Sequence, residues 1–104
     1  MATQSITVVR IYAREGEHQL DKIMEFLHDD QKVLGATVFR GIAGFGPDGI
    51  MRMASLVDLS LDLPLIVEFF GEPSLMEDVI RKLTHQLNLP HIVSWNAVSH
   101  AAEA

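Results

Sequence analysis

Residues 35–49 read Gly35-Ala36-Thr37-Val38-Phe39-Arg40-Gly41-Ile42-Ala43-Gly44-Phe45-Gly46-Pro47-Asp48-Gly49. An apolar strand pattern runs from Ala36 to Ala43 and dissolves into glycines around a single arginine. Glycine at the end of a strand admits positive φ and lets a second backbone or a ligand approach closely. A plain hairpin turn needs only one or two glycines. Gly41, Gly44, Gly46 and Gly49 together point instead to a shaped loop and a candidate binding edge.

On either side of this stretch the chain consists of two similar halves, each an extended segment, an amphipathic helix and another extended segment. Leu20, Ile23, Met24 and Leu27 have the i, i+3, i+4, i+7 spacing of one helix face, and Met76, Val79, Ile80 and Leu83 repeat it. Burying a large apolar side chain stabilises by about 1.5–3 kcal/mol, so both stripes should cover the same face of one sheet. Ser74 with Glu77 three residues on has the capping-box pattern for the second helix. Strands are expected at Ile6–Arg14, Ala36–Ala43, Met51–Leu59, Leu65–Phe70 and Ile92–Val98. Pro64 cannot donate to a ladder, so the third and fourth should be one long strand bent or interrupted there. The order is βαββαβ, an α+β ferredoxin-like sandwich with an antiparallel sheet and both helices on one face.

Strand parity bears on the uncovered face. Ile6, Val8, Arg10, Tyr12 and Arg14 share one side of the first strand, and Arg40 lies with Ala36, Val38 and Ile42 on the second. Ile66, Glu68 and Phe70 likewise set one charge among hydrophobes. A monomer would expose much apolar area there, whereas an oligomer could bury it and pair Arg10 and Arg40 with Glu68. Direct contact of these charges with a ligand is the other reading.

The 104 residues suffice for a single domain, 1–104, with its own core. There is no cysteine, hence no disulfide framework and no thiolate chemistry. The N-terminal residues have no leader pattern, and no apolar run reaches the roughly 20 residues of a membrane span. A soluble cytoplasmic protein without direct membrane insertion is expected. Fourteen acidic against eight basic residues give a net charge of −6, which repels a phosphate backbone and argues against nucleic-acid binding.

Val9-Arg10-Ile11-Tyr12, the run Gly35 to Gly46, and Leu63-Pro64-Leu65-Ile66-Val67-Glu68 resemble the PII-like proteins grouped as domain of unknown function 190. The resemblance spans nearly the whole chain. It implies a ferredoxin-like protomer assembled as a homotrimer, related in fold to the PII nitrogen-signalling proteins and the CutA family. In PII proteins a Gly-Phe-Gly segment at the base of a long loop helps bind adenine nucleotide between subunits, and Gly44-Phe45-Gly46 occupies a similar place. Members of the family linked to fluoride exporters imply a membrane transporter as partner. The chain departs from PII in two places. Thr84-His85-Gln86-Leu87-Asn88-Leu89-Pro90 stands where PII has a second glycine-rich loop with a lysine for the phosphates, and the loop after Gly46 is short.

No Gly-x-Ser-x-Gly elbow, P-loop or His-Glu-x-x-His is present, and most acidic residues fall on helix faces and turns where solvation explains them. The chain reads as a non-enzyme. His18, His28, His85, His91 and His100 show no ligand spacing within one element, so no metal site is assigned. The expected ligand-binding residues are Arg40, Gly41, Gly44, Phe45, Gly46 and Arg52. The arginines would supply positive charge, and the glycines would open backbone N–H groups to a small anionic metabolite at subunit clefts. An adenine nucleotide is the ligand the resemblance suggests. The loop from Gly44 to Arg52 would report occupancy to a protein partner. The alternatives are a CutA-like trimer holding a divalent metal and a small ferredoxin-like enzyme with a cavity between sheet and helices.

Overall fold

The computed structural model describes residues 2–30, 33–53, 62–89 and 91–101. In chain order the elements are β1 (Ala2–Arg14), a 3-10 turn (Glu15–Glu17), α1 (Leu20–Glu25) running on into a π-helical turn (Phe26–Asp30), β2 (Gly35–Arg40), β3 (Ala43–Gly44), β4 (Arg52–Met53), β5 (Pro64–Gly71), α2 (Pro73–Gln86) and β6 (His91–Ala101). The main sheet is antiparallel with strand order β2-β5-β1-β6, and β3 and β4 form a separate two-stranded sheet. This is the expected α+β ferredoxin-like arrangement.

Alternation on the two central strands builds the core. Val9 and Ile11 of β1 and Val67 and Phe69 of β5 are wholly buried, against Ile23 and Leu27 of the first helical segment and Met76, Val79 and Leu83 of α2. Leu20, Met24 and Ile80 pack on the same cluster, so both stripes cover one face of the sheet. Phe26 also enters the core, although it lies off the stripe. The wider π turn that begins there shifts the helical phase and turns neighbouring Phe26 and Leu27 inward together.

Several local expectations are corrected. The N-cap of α2 is Glu72 and not Ser74: its carboxylate accepts from Ser74 N at 3.2 Å and Leu75 N at 3.0 Å. Pro73, with no N–H to satisfy and φ already set for a helix, starts the helix two residues early. β2 stops at Arg40 rather than reaching Ala43, which belongs to the small sheet. Of the strand expected at Met51–Leu59, Arg52–Met53 pairs with β3, and residues 54–59, with the expected continuation into β5, lie outside the described residues. Pro64 is the first residue of β5, where its missing donor costs nothing. β1 and β6 are longer than expected: they pair out to Ala2 and Ala101, whereas β5 accompanies β1 only from Thr7 to Arg14.

Register also corrects the grouping of the charges. Arg10 sits directly opposite Glu68 on the face away from the helices, and its Nε donates to Glu68 Oε1 at 2.8 Å. Arg40 is opposite Leu65, a core residue, and Val38 is opposite Val67. Arg40 and Val38 therefore belong to the helix-side parity, and Arg40 has Glu15, not Glu68, as its partner. On the outer face the pair is flanked by aromatics, with the Arg10 guanidinium carbon 5.9 Å from the Phe39 ring centroid and 5.5 Å from that of Trp95. Tyr12, Phe39, Val93 and Trp95 all remain exposed there.

Candidate functional site

The glycine loop leaves β2 at the sheet end where β1 finishes and β5 begins. Arg14 is the register partner of Pro64, so the turn after β1 and the residues before β5 are brought side by side. Glu15 N donates to Leu63 O at 2.9 Å, and Leu63 N returns a bond to the Glu15 carboxylate at 3.1 Å. Pro64 is the surface on which the near side of the loop rests. Gly41 N donates to Pro64 O at 2.8 Å. A Cβ on Gly44 would come within 2.9 Å of Pro64 Cγ, so close approach requires glycine there. Positive φ does not: of the loop glycines only Gly49, at +72°, is left-handed. It closes a turn in which Gly49 N donates to Gly46 O at 2.9 Å.

Each side of the loop ends in an arginine clasped by a carboxylate from the body of the protein. Arg40, before the loop, donates through Nε to Glu15 Oε1 at 3.0 Å. Arg52, after it and opposite Gly44 in the small sheet, donates through Nε to Asp62 Oδ2 at 3.0 Å. Arg52 also donates to its own loop: Nη2 to Asp48 Oδ2 at 3.0 Å, Nη1 to Asp48 Oδ1 at 3.3 Å and to Ile50 O at 3.2 Å. Asp62 also accepts from Arg14 Nη1 at 2.6 Å and from Gly16 N at 2.7 Å. The two clasps differ in exposure, since the Arg40 side chain is 51% exposed and that of Arg52 16%.

These contacts set the local acidities. Burial pushes the Asp62 carboxyl up, but the Gly16 amide and the guanidinium groups of Arg52 and Arg14 outweigh it and hold it below its ordinary value. Asp48 is lowered by its bond to Arg52 and then by the Ile50 amide. Arg52 is raised by Asp48 and Asp62, against opposing desolvation. An anion reaching Arg52 therefore meets a cation already neutralised, and it must exchange with a carboxylate rather than fill an empty cradle.

Among the expected residues, Gly41, Gly44 and Arg52 gather around Pro64 and Asp62, and Arg40 is joined to them through Glu15. Phe45 and Gly46 stand apart at the tip. Phe45 is 70% exposed, and a Cβ on Gly46 would touch nothing. Ile42, Ile50, Met51 and Met53 are exposed around them. Sequence reasoning missed Arg14, Glu15, Asp48 and Asp62. The signal of Arg14, Glu15 and Asp62 is positional, since they flank strand ends that become neighbours only once β1 and β5 pair, whereas Asp48 lies in the loop itself, four residues before Arg52. Before β6, where PII proteins carry the second glycine loop, Leu87 and Leu89 pack on the core. Among the described residues no three His, Asp or Glu side chains converge as metal ligands, and no helix is long and apolar enough to cross a membrane.

The fold is that of the PII-like proteins. The structure is similar to CPII from Thiomonas intermedia K12 bound to ADP and bicarbonate, with a TM-score of 0.66 at 15% identity over 94% of this chain and 89% of that one. It is equally similar to a putative PII-like signaling protein, TTHA0516, from Thermus thermophilus, with a TM-score of 0.65 at 14% identity over 95% and 91% of the two chains. Residues 6–98 match the family DUF190, described as an uncharacterized ACR, and the chain belongs to that family. It is also 33% identical over 81 residues to the UPF0166 protein MJ1524 of Methanocaldococcus jannaschii, covering 73% of each chain.

Proposed function

We propose that this protein is a non-enzymatic PII-like regulator of the cytoplasm. In this reading it assembles as a homotrimer and binds a small anionic metabolite of the adenine-nucleotide class at the cleft beside the glycine loop. The observation that carries the reading is the loop itself, set on Pro64 by Gly41 and Gly44, footed by Arg40 and Arg52, and tipped by exposed apolar side chains. Backbone that can approach a ligand closely, next to two guanidinium groups, suits a phosphate or carboxylate. The solved PII-like protein bound to ADP and bicarbonate supports the choice of ligand class. Phe45, Ile42 and Met51 offer a partner, a membrane transporter in the family's pattern, an apolar surface whose position depends on ligand occupancy.

The open sheet face supports the trimer. Tyr12, Phe39, Val93 and Trp95 surround the Arg10–Glu68 ion pair, and a second copy would remove this apolar area from water. Isothermal titration with ADP, AMP and bicarbonate tests the ligand, and light scattering on a sizing column tests the assembly. Saturable binding that Arg40→Ala weakens, in a protein of trimer mass, is the expected result. Absence of saturable binding to all three compounds overturns the ligand class, and a monomer mass at micromolar concentration overturns the assembly.

A further inference from the structure

The Arg52–Asp62 contact differs in kind from the others that hold the loop to the body of the protein. If Arg52 lets go, Asp62 still has Arg14 Nη1 at 2.6 Å and Gly16 N at 2.7 Å, so its charge stays compensated. Arg52 in turn still has Asp48 at 3.0 Å and Ile50 O at 3.2 Å, both on its own loop, and keeps Gly44 as its ladder partner, about which it would swing with them. Neither partner is stranded by the break, which removes the usual penalty of opening a shielded ion pair. The other ties are not of this sort. Arg40 has Glu15 as its only side-chain partner among the described contacts, and Gly41 and Gly44 are fixed to Pro64 by a backbone bond and by close packing.

We propose that Asp62 is the releasable clasp of the glycine loop: it holds the far foot through Arg52 and competes with an anionic ligand for that guanidinium. The near foot, on Glu15 and Pro64, stays in place as the pivot. Ligand occupancy is thereby converted into freedom of the segment from Phe45 to Arg52, which carries the exposed Ile50 and Met51. Asp62 is a positioning residue here, acting on the ligand through Arg52. The competition rests on the proposed anion-binding function, whereas the clasp itself does not.

The test is hydrogen exchange by mass spectrometry on the ligand-free protein, with Asp62→Asn breaking the clasp from the body side and Arg52→Gln from the loop side. In both variants the amides of residues 45–52 should exchange about tenfold faster, while those of β1 and β5 are unchanged. Two variants guard against one of them failing to fold. Titration with ADP is the second arm, and Asp62→Asn should bind it about tenfold more tightly than the wild type because the competitor has lost its charge. Loop exchange at the wild-type rate in both variants overturns the clasp. Faster exchange with weaker ADP binding in Asp62→Asn overturns the competition and makes Asp62 a preorganising group. Faster exchange with no ADP binding by either protein upholds the clasp and removes the nucleotide from the proposed function.

Discussion

Two ion pairs of almost the same length, Arg10–Glu68 at 2.8 Å and Arg52–Asp62 at 3.0 Å, stand in opposite relations to the backbone around them. Arg10 and Glu68 face each other across a ladder that pairs β1 with β5 from Thr7 to Arg14. Packing on both strands fixes that ladder, so the backbone positions the ion pair, and aromatic rings close over it. Arg52 lies in a strand whose ladder, among the described residues, joins Ala43 to Met53 and Gly44 to Arg52. No core side chain comes from that small sheet. There the ion pairs position the backbone. Charge on the sheet is thus held by the fold, whereas charge at the loop holds the fold of its own segment.

The largest expected effects come from removing what underlies the sheet. Phe69 is wholly buried at the centre of the core, and Phe69→Ala should cost about 3–5 kcal/mol. Urea unfolding should show the midpoint falling at an unchanged slope. Val38→Asp and Trp95→Asp then separate the two faces. Val38 packs on the helix side, so a carboxylate there has no partner and should unfold the protomer. Trp95 is 41% exposed on the outer face, so Trp95→Asp should leave a folded protomer and lower the mass seen by light scattering. Trimer mass retained by Trp95→Asp would remove the outer face as the subunit interface.

Smaller effects are expected in the loop. The valine side chain in Gly44→Val must displace Pro64, at about 1–3 kcal/mol. Gly46→Ala meets no neighbour and should stay within about 0.5 kcal/mol of the wild type. Thermal melts on the pair measure the difference. Equal melting temperatures would mean that the loop does not rest on Pro64.

The fold was legible because its signals are periodic. Two helical stripes and alternating strands gave the layer order, and the run Gly35–Gly46 gave the family. What failed did so where register or phase, rather than residue type, decides. Parity along β2 assigns Arg40 a side of its own strand, but only pairing with β5 shows that this side meets Leu65 and not Glu68. Phe26 is core because a π turn interrupts the 3.6-residue period. The outer parts of β1 and β6 are rich in polar residues such as Thr3, Gln4, Ser99 and His100, so no apolar alternation marks them as strand. At the candidate site the glycines and arginines were readable as types that suit an anion. Their partners Glu15 and Asp62 were not, since acidic residues in turns look solvated until two distant turns are placed together.

The smallest effect expected is a pH dependence confined to the loop. Asp62 and Asp48 both titrate below their ordinary values in the folded protein: at Asp62 the Gly16 amide and two arginines overcome the upward push of burial, and at Asp48 the bond to Arg52 leads. A folded pKa below the unfolded one means that binding of protons favours the unfolded or released state. The stability these groups contribute is therefore complete above the unfolded value, near pH 4, and is lost as pH falls through the folded value. Asp62→Asn resembles the protonated wild type at any pH. The melting temperature of Asp62→Asn should lie below that of the wild type by a few degrees at pH 7 and remain so at pH 5, and the two curves should converge below about pH 4. A gap that persists unchanged to pH 3 would show that the carboxylate charge of Asp62 does not hold the loop, and the contrast between the sheet pair and the loop pair would then rest on packing alone.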